Sequence, residues 1–168
     1  MLKGEMTRQD NFFVVGYTGT THSERELQYD DSVKGQLIGY LAQAKWIPGI
    51  QGLVEDKIYC VYHGFEGGGE FFKITVGLPV HEPPELDIPI DILEIPAGEY
   101  LQFESELGSF PDIVNKTWKN VNELSAEQLG GQRKAEFDHE CFSIDQFEHQ
   151  QCKFILRLSI KPFEPVDE

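Results

Sequence analysis

Apolar and polar residues change rhythm several times along the chain, and each change predicts an element. Residues 12–18 form an aromatic and β-branched run that ends in Gly19, Thr20 and Thr21, the signature of a strand. A polar stretch over 23–31 leads into a helix, with Asp31 or Ser32 as the candidate cap. Val33, Leu37, Tyr40, Leu41 and Ala44 then recur at helical spacing, and Pro48 and Gly49 stop the pattern. Two strands follow, over 57–62 and 71–80. In the second, Ile74, Val76, Leu78 and Val80 alternate with Lys73, Thr75 and Gly77. The glycine-rich residues 63–70 between them read as a hairpin loop.

The proline-rich residues 81–85 break the chain near its middle, followed by a short apolar run over 88–95 and a turn at Pro96, Ala97 and Gly98. The order of elements then repeats. Residues 99–105 predict a strand. Ser109 caps a helix with Phe110, Val114, Trp118, Val121 and Leu124 on its apolar side. Strands are predicted over 134–142 and 153–161, the latter with Phe154, Leu156, Leu158 and Ile160 on one face. Both halves therefore read strand–helix–strand–strand, over 12–80 and 99–161, joined by a linker over 81–98. The duplication is visible in pattern and not in letters. The predicted fold is α+β: one domain over 1–168, a duplicated β-α-β-β unit forming an antiparallel sheet, two main helices packed on one face, and a ligand cleft between the halves.

Charge narrows the partners. With 14 basic and 29 acidic side chains the formal charge is −15, which repels phosphate backbones and anionic membranes. No direct nucleic-acid partner and no membrane partner are expected; solubility alone also accounts for such a charge. The odd set Cys60, Cys141 and Cys152 argues against a disulfide framework. The N-terminal residues lack an apolar leader, no segment reaches ~18 apolar residues, and a cytoplasmic location is expected. Gly67, Gly68 and Gly69 do not run from a strand into a helix followed by Lys-Ser/Thr, so they are no phosphate loop. No cofactor is predicted.

Certain segments, in their order, resemble a known family. They are Leu93-Glu94-Ile95-Pro96-Ala97-Gly98-Glu99-Tyr100-Leu101-Gln102-Phe103-Glu104, the helix carrying Trp118, the strand with Phe137-Asp138, and the closing Leu158-Ser159-Ile160-Lys161. Together they resemble the GyrI-like small-molecule-binding domain, also called the AraC-type effector-binding or multidrug-sensor fold. Asp30-Asp31-Ser32-Val33-Lys34 and Val76-Gly77-Leu78-Pro79-Val80 fit the same pattern, so the resemblance spans nearly the whole chain. It implies the duplicated fold and the binding of bulky, often cationic aromatic compounds where the halves meet. In transcription factors the domain is fused to a DNA-binding unit. Here the few residues before the first predicted strand leave no room for a helix-turn-helix, and a stand-alone form is expected. The resemblance also implies a pocket glutamate early in the last strand, where this chain has Lys153 and Ile155; the first-half counterparts are Lys73 and Thr75. The family's Phe-Glu-x-Tyr becomes Phe137-Asp138-His139-Glu140, which puts Glu140 at the tyrosine position.

The candidate ligand-binding residues are accordingly Tyr17, Tyr40, Trp46, Tyr59, Tyr62, Tyr100 and Trp118, with Glu140 as a displaced acidic anchor and Ile155 at the family's glutamate position. Tyr and Trp suit a half-wet cavity and can hold a cation over a ring. Against this, many aromatics must fill the core, and Asp138 and Glu140 can simply face solvent. His139, Cys141, His149 and Cys152 have ligand-type spacing for zinc, a weak pattern. The favoured function is non-enzymatic capture of a hydrophobic or cationic aromatic small molecule, as a sensor or sequestering protein. Two alternatives stay open. One is a hydrolase of electrophilic compounds, using Glu140 with Glu104 or Tyr100. The other is an acidic protein-interaction module of the gyrase-inhibitor kind, with a protein partner.

Overall fold

The computed structural model describes residues 3–143 and 151–164. Nine strands are described: β1 (Glu5–Gln9), β2 (Phe12–His22), β3 (Ile58–Glu66), β4 (Phe71–Val80), β5 (Asp91–Ile95), β6 (Gly98–Glu104), β7 (Gly131–Arg133), β8 (Asp138–Phe142) and β9 (Ile155–Pro162). The helices are α1 (Ser23–Glu26), α2 (Val33–Ala42), α3 (Asp112–Asn122) and α4 (Ala126–Leu129). The fold is α+β, with one large antiparallel sheet in the order β1-β6-β9-β8-β3-β4-β2-β5 and β7 on the far end of β9. No described helix is long and apolar enough to cross a membrane.

Each half supplies three strands in mirrored order, β2-β4-β3 and β8-β9-β6. The halves join along an antiparallel seam in which Ile58 faces Phe142, Cys60 faces Glu140 and Tyr62 faces Asp138. The two outer strands are exchanged. β1 precedes β2 in the chain yet pairs β6, and β5 precedes β6 yet pairs β2. The repeating unit thus carries a leading strand that the sequence pattern misses in both halves. Residues 5–9 show no apolar alternation because an edge strand is held by its ladder and buries little; even Met6 stays 44% exposed. Residues 91–95, expected as linker, are the second leading strand.

Local chemistry explains the remaining boundaries. Ser32 caps α2 as expected, its Oγ accepting from the Gly35 N–H at 2.9 Å. α3 starts later than Ser109, at Asp112, although the Ser109 carbonyl still accepts from the Ile113 N–H at 2.8 Å. β8 begins at Asp138 and not at 134, because Ala135 and Phe137 adopt positive φ of 53° and 60°, which no regular strand accommodates. β3 runs on to Glu66, four residues past its expected end at Tyr62, and the turn tightens to Gly67–Gly69.

α2 and α3 cover one face of the sheet. Val33, Leu37, Ile38 and Leu41 from α2, and Ile113, Val114 and Val121 from α3, pack on Cys60, Ile74, Val76, Phe142, Leu156 and Leu158. The opposite face buries a second cluster built on Phe12, Val14, Tyr59, Val61, Ile95 and Cys141. Rings of Phe12 on β2 and His139 on β8 lie 6.0 Å apart. In a flat sheet strands three ladder steps apart would stand about 14 Å from each other, so the sheet curls around this second cluster. Gly16 and Gly77 pair directly within that curl. A Cβ on Gly16 would lie 1.9 Å from the Val76 carbonyl oxygen, and one on Gly77 2.1 Å from that of Val15.

Candidate ligand-binding cleft

A cleft of about 720 Å³ opens on the helix-bearing face, above the seam and between α2 and α3. The first half brings Glu26 and Leu27 from α1 and its end, Lys34 from α2, and Tyr62, Phe65 and Phe72 from β3 and β4. The second half brings Asn115, Trp118, Lys119 and Asn122 from α3, with Arg133 and Asp138 from β7 and β8. A volume of this size falls within the range of small-molecule sites.

Aromatic rings form a continuous wall. Trp118 meets Tyr62 edge to face at 5.5 Å, Tyr62 leans on Phe72 at 5.8 Å, and Phe72 on Phe65 at 5.4 Å. The Arg133 guanidinium lies over the Trp118 ring at 5.9 Å while donating to Asn122 and Asp138. Asp138 is fixed from behind, its Oδ1 accepting from the Ser159 N–H at 2.7 Å and hydroxyl at 2.8 Å. Burial raises the Asp138 carboxyl above its ordinary range, with the Ser159 and Arg133 contacts acting against that rise.

Beneath the wall sits Glu140, fully buried with 0% of its side chain exposed. Its Oε2 accepts from Trp118 Nε1 at 2.6 Å and from the Tyr62 hydroxyl at 2.9 Å. Lys34 Nζ lies 3.1 Å from Oε1 and 3.4 Å from Oε2, and also donates to the Tyr62 oxygen at 3.0 Å. A buried carboxylate is tolerable only with such partners. Burial, and then the charge of Glu140, push the Tyr62 hydroxyl well above its ordinary value and keep it a neutral donor. The Cys60 thiol, opposite Glu140 across the seam, is raised by the same two causes. Lys34 is held from its own end too. Glu26 accepts from the backbone N–H groups of Val33 and Lys34, both at 3.0 Å, which anchors the start of α2.

Three of the residues singled out in the sequence converge here: Tyr62, Trp118 and Glu140. Tyr59, Tyr100 and Ile155 lie on the other face of the sheet, as period-2 alternation requires once Cys60, Leu101 and Leu156 point toward the helices. Tyr59 accepts there from Arg157 Nη1 at 3.0 Å and donates to Glu55, and Tyr100 meets His139 edge to face at 5.1 Å. Tyr17, Tyr40 and Trp46 form a separate group, with Trp46 Nε1 donating to the Tyr17 hydroxyl at 3.0 Å, Tyr40 packed on Tyr17 and itself 57% exposed. None of the three lines the cleft. Of the zinc-type set, His139 and Cys141 belong to the curled face and Cys152 to the helix-bearing core, while His149 lies outside the described residues. Among the described residues no group of three or more such side chains comes together.

Sequence reasoning missed Lys34, Phe65, Phe72, Arg133 and Asn115. Two of them carried a readable signal. Lys34 precedes Ile38 and Leu41 by four and seven residues on the inward side of α2, and Phe72 precedes Ile74 by two on β4. Arg133 and Asn115 carried none, since their place depends on how the second half docks.

A duplicated antiparallel sheet with an aromatic cleft over its seam is the architecture of a small-molecule-binding domain. The chain belongs to the Cass2 family of integron-associated effector binding proteins, whose sequence profile matches residues 5–160. The integron cassette protein VCH_CASS2 from the mobile metagenome of Vibrio cholerae has a similar structure, with TM-score 0.70 at 17% identity over 95% of this chain and 99% of that one. SAV2435, solved bound to tetraphenylphosphonium, superposes with TM-score 0.71 at 15% identity over 95% and 94%. The EcmrR C-terminal domain gives 0.65 at 12% over 97% and 99%. At these identities the neighbours speak for the fold, which is consistent with the GyrI-like type. No curated protein matches the sequence.

Proposed function

We propose that the chain is a non-enzymatic module that captures an amphipathic aromatic cation in the cleft, acting as a stand-alone sensor or sequestering protein. The observation that carries this reading is Glu140, a carboxylate buried directly beneath the indole of Trp118 and the phenol of Tyr62. Aromatic faces attract a cation most strongly where water is excluded, and a carboxylate below them adds Coulombic attraction in a medium less polar than water. Charge around the site leans the same way. Glu26, Glu123 and Asp138 balance Lys34, Lys119 and Arg133 on the lining, and Glu140 adds one further negative charge beneath it. The tetraphenylphosphonium bound to SAV2435 supports a bulky aromatic cation as the probe.

Titration with tetraphenylphosphonium, followed by tryptophan emission, tests the proposal. Trp46 sits away from the cleft against Tyr17, so Trp46→Phe leaves Trp118 as reporter and should show saturable quenching, which Trp118→Phe abolishes. Glu140→Gln should weaken the phosphonium by roughly 2–3 kcal/mol, the Coulomb attraction between charges about 6–8 Å apart at an effective dielectric of about 20, and the neutral triphenylphosphine oxide far less. Unchanged emission at millimolar phosphonium, or equal losses for both compounds, would refute it.

A further inference from the structure

Glu140 already has a cation. Lys34 Nζ bridges both of its oxygens at 3.1 and 3.4 Å and lies 5.7 Å from the centre of the Tyr62 ring. An ammonium held between a buried carboxylate and a phenol oxygen occupies the place where a bound organic cation would meet Glu140. The two partners are not equally free to move. Glu140 is on a central strand with no exposure, whereas the Lys34 side chain is 10% exposed and borders the cleft. Its four-carbon stem can rotate without disturbing α2, because the helix start is held through backbone N–H groups by Glu26. That same Glu26 carboxylate lines the cleft.

We infer that Lys34 is a built-in surrogate ligand: its ammonium fills the cation subsite of Glu140 in the free protein, and a cationic ligand binds by displacing it toward the mouth of the cleft. Lys34 is thereby a specificity determinant. While it stays in place the Glu140 charge is cancelled, and a weakly held cation gains nothing there. Only a cation whose rings also occupy the aromatic wall recovers enough to expel it. Small cations are rejected and neutral aromatics bind without moving Lys34.

The inference rests on the proposed cation site, and the test separates the two. Wild-type protein is treated with an amine-acetylating N-hydroxysuccinimide ester, alone and with saturating tetraphenylphosphonium or triphenylphosphine oxide, and acetylation of Lys34 is read by peptide mass spectrometry. In parallel, both compounds are titrated calorimetrically against wild type and Lys34→Met. The expected result is a several-fold rise in Lys34 acetylation with the phosphonium only. Lys34→Met should also bind the phosphonium at least tenfold tighter, with the phosphine oxide within twofold. The labelling needs no variant, so it stands even where Lys34→Met fails to fold. Phosphonium binding with Lys34 labelling unchanged or lowered would overturn the surrogate role and leave the cation site intact. If the phosphonium does not bind wild type or variant, both fall.

Discussion

Removing either member of the Lys34–Glu140 pair should destabilise the protein, but by unequal amounts. Lys34→Met strips the counter-ion from a carboxylate whose side chain has no exposure. Loss of one partner from a buried pair costs about 3–5 kcal/mol, because the other charge is left uncompensated. The donors from Tyr62 and Trp118 remain, which places the expected loss near the lower end of that range. Glu140→Gln leaves the opposite orphan. The Lys34 side chain borders the cleft and can carry its ammonium into water, while the amide oxygen of Gln still accepts from Trp118 and Tyr62. What is lost is the charged character of those hydrogen bonds, about 1–2 kcal/mol. The difference of about 1–2 kcal/mol corresponds to a urea midpoint about 0.5–1 M lower for Lys34→Met, at a slope of ~2 kcal/mol/M. Urea unfolding at neutral pH, followed by tryptophan emission in ligand-free protein, measures it. Equal midpoints, or a Gln variant less stable than the Met variant, would show that Lys34 is as trapped as Glu140 and would refute the mobility argument.

Other outcomes follow from the rest of the fold. Burial lowers the His139 pKa from 6.5 to about 3, opposed by the Phe137 carbonyl at 2.9 Å and helped to a lesser degree by the Arg157 charge. A histidine depressed in the folded state stabilises above its unfolded value and loses that contribution as pH falls between about 6.5 and 3. The wild type should thus lose up to about 2 kcal/mol more than His139→Gln between pH 6.5 and 5, at 1.36 kcal/mol per unit; parallel urea curves for the two would contradict this. Gly77→Ala drives a Cβ to 2.1 Å from the Val15 carbonyl oxygen. It should cost about 3 kcal/mol, visible as a lowered Tm, whereas Gly39→Ala, with nothing within 4 Å, should be neutral or stabilising.

Much of the helix-bearing core was legible because it obeys one period per element. The inward residues of β4 and β9 are those that alternation picks out, and on α2 Val33, Leu37 and Leu41 face inward as expected, whereas Tyr40 is exposed, Ala44 lies past the helix end and Ile38 takes the inward place instead. The exchanged strands were not legible. β1 buries almost nothing and so lacks the apolar rhythm by which a strand is recognised, while β5 has it, with Leu93 and Ile95 turned to the second cluster, but follows the prolines that read as a linker. In the site, Glu140 and Trp118 could be singled out one at a time, yet their contact depends on the docking of α3 over β8. The aromatics divided for a related reason. Within a strand, alternation says which residues share a face. It sets Tyr59 and Tyr62 on opposite faces of β3, but it does not say which face lies under the helices, nor on which side Tyr100 falls relative to them.

The seam between the halves brings together the groups that neither half holds alone. The duplication places β3 and β8 side by side as equivalents, with Cys60 opposite Glu140 and Tyr62 opposite Asp138. The chemistry that the two halves bring to the seam is not the same. The first half contributes an ammonium and a phenol, Lys34 and Tyr62; the second contributes a carboxylate and an indole, Glu140 and Trp118. Each half taken separately would lose the charge pair: Lys34 would keep only the Tyr62 oxygen, and Glu140 only the Trp118 donor. The interaction that makes the buried carboxylate tolerable is the same one that ties the halves together. A ligand that separates Lys34 from Glu140 thus acts on the joint between the repeats, and its binding energy is coupled to the geometry of the whole sheet.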